Sequence, residues 1–77
     1  MGVSTENQRR IGRALQKLAH EELGKKPSYQ GCLNMVKQHM KEAEAAGFYR
    51  REEIAAFVFE KRRADLLISA ERKEASA

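Results

Sequence analysis

Hydrophobic residues recur at spacings of three and four along this chain, in three blocks separated by glycine and proline. The first block carries Ile11, Ala14, Leu15, Leu18 and Ala19, drifting toward Leu23. This narrow stripe opens after Ser4 or Thr5, either of which can accept a hydrogen bond from the first turn, and closes at Gly24. The second block follows Ser28 and sets Tyr29, Cys32, Leu33, Val36, Met40 and Ala43 on one face. Gly31 weakens its first turn by about 1 kcal/mol relative to alanine. Gly47 closes it, with Phe48 placed to fold back around Ala43. The third block begins near Arg51, with Glu52 and Glu53 where a helix dipole favours acids. The pattern predicts an all-α fold, one small three-helix domain with helices near residues 5–23, 29–46 and 51–73.

The third block differs from the others in having no polar side. At about 100° per residue, one face collects Ile54, Phe57, Val58, Ala64 and Ile68, and the opposite face Ala55, Phe59, Leu66 and Ala70. A helix apolar all round has to be covered all round. Its span of about 35 Å exceeds the roughly 27 Å of its neighbours, which predicts an overhanging arm. The reading is therefore a long, central, doubly apolar third helix that pairs with a second copy, as a homodimer or higher oligomer, and with a second protein. Phe59, Leu66, Leu67 and Ala70 are the expected anchors, with Arg62 and Arg63 as a charged rim whose stems cover apolar surface. The alternative is that the two anchors Phe59 and Leu66 complete the core of the monomer.

Size supports a need for partners. A chain of 77 residues buries only about 60% of its extended surface on folding. Its single cysteine, Cys32, rules out an internal disulfide, and Cys32, Met35 and His39 on the second helix supply too few matched ligands for a metal. Cys32 reads instead as a small buried hydrophobe, and no cofactor or metal is expected. No run approaches 18 apolar residues, the first ten residues lack a secretory core, and Glu6 stands where a myristoylation motif needs Ser or Thr. These features predict a cytoplasmic protein without membrane attachment.

Charge adds a second candidate surface. The net charge of +4 concentrates in residues 1–27, which hold six basic against three acidic groups. Arg9, Arg10, Arg13 and Lys17 fall within about 100° of arc on the first helix, with His20 continuing it and Lys25 and Lys26 following. Such a face suits an anionic partner. A helix-turn-helix does not fit, because Glu53 falls where a core residue is wanted and the would-be recognition helix is apolar. The stretch Ala46–Ile54 resembles the turn between the helices of ribbon-helix-helix proteins, a likeness that implies DNA reading by a strand, yet the first helix occupies the place of that strand.

Catalysis needs reactive groups inside a pocket, and three short helices enclose little volume. The sequence thus points to a non-catalytic regulatory protein that binds and modulates a protein partner, of the adaptor, inhibitor or antirepressor kind found in bacteria and phages. The alternative function is a DNA- or RNA-binding regulator using the basic face, although four phosphate contacts without a polar recognition helix predict weak, sequence-independent binding.

Overall fold

Gly47 shows how the chain reverses. It sits at φ 92°, a conformation that costs glycine little, and its N–H donates to Glu44 C=O at 3.0 Å while the Phe48 N–H reaches back to Ala43 C=O at 2.9 Å. The reversal lays Phe48 against the core, with its ring 5.6 Å from that of Phe57. At the earlier break, the Gly24 N–H donates to His20 C=O at 3.0 Å. Pro27 is buried, its carbonyl accepts from Gln16 Nε2 at 3.0 Å, and Ser28 Oγ caps the next helix by accepting from the Gly31 N–H at 3.1 Å.

The computed structural model describes residues 5–76, with side chains described through residue 72. It contains α1 (Thr5–Leu23), α2 (Tyr29–Ala45) and α3 (Arg51–Ser76), and no strand among the described residues. Thr5 is the first residue of α1; Ser4, the other cap candidate, and Gly2 lie outside the described residues. Each helix packs against both others, so α3 is not central. Ile11, Leu15 and Ala19 meet Cys32, Met35, Val36 and Met40 and the α3 residues Ile54, Val58 and Phe59 in one core. Gly12 brings α1 and α2 close, because a β-carbon there would lie 3.4 Å from Leu33 Cα.

The faces of α3 are not divided as the periodicity suggests. Phe59, Leu66 and Ala70, assigned above to a partner, are 3%, 0% and 1% exposed within the single chain. They share the interior with Ile54, Ala55 and Val58, so α3 buries one arc about 160° wide instead of two opposed stripes. The reason is that a helix touching two neighbours needs a broad face. The apolar arm is also absent at Leu66 and Ala70. The backbone leaves helical geometry at Arg62 (φ −120°, ψ 25°), and beyond this point Ser69 Oγ lies 3.4 Å from where a β-carbon on Gly31 would sit. What remains outside is Ile68, 47% exposed, and Leu67, 36% exposed.

Arg62, expected on an interface rim, instead clamps α3 to α2. Its Nε donates to Asp65 Oδ2 and its Nη1 to Gln38 Oε1, both at 2.7 Å, and Nη1 also reaches His39 Nε2 at 3.2 Å. Because guanidinium only donates, His39 Nε2 accepts and Nδ1 carries the proton that goes to Glu42 Oε1 at 2.7 Å. Lys61 Nζ takes the other oxygen of Glu42 at 2.7 Å. Hydrogen bonds from Lys61 and then His39 hold the Glu42 carboxyl below its ordinary range.

Two outcomes follow from this packing. Leu66→Ala should destabilise the monomer by about 2–5 kcal/mol in denaturant titration. An unchanged midpoint would place Leu66 outside the core. Because the Glu42 carboxyl is lowered in the folded state, its contribution is present above the unfolded carboxyl pKa and is lost as pH falls through the folded value. Glu42→Gln should therefore lower the thermal midpoint at pH 7 and have no effect near pH 2; an equal loss at both values would show that the charge is not involved.

Candidate partner-binding surfaces

Two surfaces stand outside the core. The first is the outer face of α3. An apolar stripe here is made of Phe57, before the break in helical geometry at Arg62, and Ala64, Leu67 and Ile68, after it; Phe57 is half-buried and the other three are exposed. Phe48 and Phe57 are half-buried, and together with Ala56 they floor an open groove of about 510 Å³ whose rim is Glu53, Glu60 and Lys61. Tyr49, 71% exposed, follows Phe48 in the α2–α3 turn.

Charges around this stripe are unequal. Glu53, Glu60 and Glu71 are exposed, and the first two rim the groove. Glu53 approaches Arg50 only at 4.0 Å. Lys61, beside Phe57, is held by Glu42 and stands 5.5 Å from the Phe57 ring centre. Arg63 is exposed and lies 5.3 Å over the ring of Phe59, covering that buried side chain with its stem and head. Of the six residues assigned to a partner interface by sequence, then, Leu67 and Arg63 are exposed, Arg62 belongs to the clamp, and Phe59, Leu66 and Ala70 are inside.

The second surface is a groove of about 390 Å³ between α1 and the start of α3. Arg10, Arg13 and Lys17 line one side, Arg51 and Glu52 come from α3, Glu21 completes the polar lining, and Ala14 and Leu18 form the half-buried floor. All four cations of the predicted basic face, Arg9, Arg10, Arg13 and Lys17, are exposed. Three of them reach this groove, whereas Arg9 lies outside its lining. Arg10 pairs with Glu6 at 3.0 Å, and the Arg13 guanidinium stands 5.6 Å over the ring of Tyr29. Arg51 Nε contacts Glu52 Oε1 at 3.3 Å. The Glu52 carboxyl is held below its ordinary range first by its own backbone N–H at the α3 start and then by Arg51.

Of the stripe, the sequence pointed to Leu67 as an anchor and to Ile68 on the overhanging arm, whereas Phe57 and Ala64 were not expected at a partner site, and neither was Arg51. The stripe carried a detectable signal, the surplus of apolar residues on α3, but periodicity alone does not say which of two apolar arcs faces inward. Arg51 has no such signal, because only the tertiary crossing of α3 brings it beside α1. Among the described residues no group of three or more His, Cys, Asp or Glu could hold a metal ion, and Cys32 and Met35 are core residues. No described helix is long and apolar enough to cross a membrane. Comparison with protein-family models, with curated proteins and with solved structures gives no match to this chain.

Proposed function

We propose that this chain is a non-catalytic interaction protein that docks a protein partner on the outer face of α3 and thereby modulates the partner's activity. The observation that carries the reading is the apolar stripe of half-buried Phe57 and exposed Ala64, Leu67 and Ile68, which is left over although Phe59, Leu66 and Ala70 already fill the core. Exposed apolar patches bordered by charge are characteristic of protein contact sites. Aromatic and aliphatic anchors dominate the energy of such sites.

The occupant is a helical segment of a different protein, apolar on one face and flanked by Lys or Arg. Its charge is set by Glu53, Glu60 and Glu71 along the stripe. A second copy of this chain matches less well, since two cations near its own stripe are already engaged, Lys61 with Glu42 and Arg63 over the Phe59 ring. Helix-in-groove docking of this kind reads anchors at spacings of three, four and seven, the spacings found here.

A photo-crosslinking side chain at Ile68, with Lys37 on exposed α2 as the control site, tests this in nuclease-treated native lysate. Ile68 should give a discrete protein adduct that Glu53→Lys with Glu60→Lys weakens at least tenfold. Charge reversal at Arg9 and Arg13 should leave it unchanged. Absence of an adduct above the Lys37 control would contradict the proposal, and an adduct of twice the chain mass would reassign the face to self-association.

A further inference from the structure

We propose that the groove between α1 and the start of α3 binds the phosphodiester backbone of a nucleic acid, independently of the protein-docking face. Four cations, Arg10, Arg13, Lys17 and Arg51, line it against two carboxylates, Glu21 and Glu52, so this small region carries +2 of the chain's +4. One helix alone does not build the site. Arg51 arrives from α3, paired with Glu52 at 3.3 Å, and opposes the row on α1, so a guanidinium faces the groove from both helices while the net positive charge sits on the α1 wall.

The spacing selects the ligand. From Arg10 to Lys17 the row runs about 10 Å along the helix axis. A single phosphate is too small to meet all of it, whereas a nucleic-acid strand presents phosphates in succession along its backbone. Of the three carboxylates nearby, Glu6, Glu21 and Glu52, two are already engaged. Glu6 holds Arg10 in an exposed pair, and Glu52 is turned toward its own backbone N–H and Arg51. The floor of Ala14 and Leu18 presents no polar group to base edges, so the groove reads charge and spacing and not sequence.

Fluorescence anisotropy of a labelled 20-base-pair duplex, titrated with the full chain at several salt concentrations, tests the proposal. Four phosphate contacts predict a slope of about −3.6 in log K against log salt, a loss of roughly a hundredfold between 50 and 200 mM. Arg13→Glu with Lys17→Glu should weaken binding at least tenfold at 50 mM salt, and Arg51→Gln should reduce the slope by about 0.9. Lys37→Glu with Lys41→Glu changes net charge equally on exposed α2, outside the groove, and should alter affinity less than twofold. Far-UV circular dichroism should show all variants equally helical, and Arg51→Gln leaves α1 intact if the double variant does not fold. No anisotropy change at 50 μM protein in 50 mM salt overturns the proposal, as does an equal loss in the α2 control or an unchanged slope in Arg51→Gln. Displacement of the duplex by millimolar inorganic phosphate would reduce the groove to a single-anion site. Displacement by polyglutamate at equal charge would reassign it to an acidic protein. A second duplex of scrambled sequence should bind within twofold of the first.

Discussion

Phe59 and Leu66 enter the same core from either side of Arg62, and the placement of the remaining surfaces follows from their burial. In a three-helix domain this small, α3 has to cover both α1 and α2, which takes a buried arc of about 160°. Large apolar groups supply most of the driving force for such packing, about 25 cal/mol for each Å² removed from water. The departure from helical geometry at Arg62 lies within that buried stretch. It is held on the outside by hydrogen bonds from the guanidinium to Gln38, His39 and Asp65. Packing on one side and a polar clamp on the other thus fix how the second half of α3 lies on the bundle.

Once that arc is used, the residues left outside divide the surface by chemistry. Apolar groups with carboxylates beside them run along outer α3, while cations gather where α1 meets the start of α3. The two regions share α3 but draw on different residues and different physical terms. The proposed docking on α3 would draw mainly on apolar burial, with the Glu53, Glu60 and Glu71 carboxylates selecting the partner, whereas the proposed α1 groove would act through charge and weaken steeply as salt rises.

Helix breaks were the most legible part of the sequence. Gly24 and Gly47 adopt positive φ where they interrupt the periodicity, and Ser28 caps α2 through its hydroxyl. Local chemistry suffices for such features. The inward arc of α3 was not legible, since Phe57 and Phe59 are both large aromatics two positions apart, and which of them faces inward depends on the neighbours each meets. Phe57 is covered only in part, by Phe48, because Gly47 folds that residue back; Phe59 meets the core. The basic row on α1 was visible because Arg9, Arg10, Arg13 and Lys17 belong to one helix. Its partner Arg51 was not, because it is 34 positions beyond Lys17 and reaches the groove through tertiary packing.

The chain has three phenylalanines, Phe48, Phe57 and Phe59, so fluorine labelling of phenylalanine gives one resonance for each. Broadening by a soluble paramagnetic agent, followed across protein concentration, reads their exposure directly. The Phe59 resonance should stay protected from the lowest concentration upward, while those of Phe48 and Phe57 broaden. A Phe59 resonance that broadens in dilute solution and becomes protected only as concentration rises would mean that Phe59 is covered by a second molecule and not by the monomer's own core.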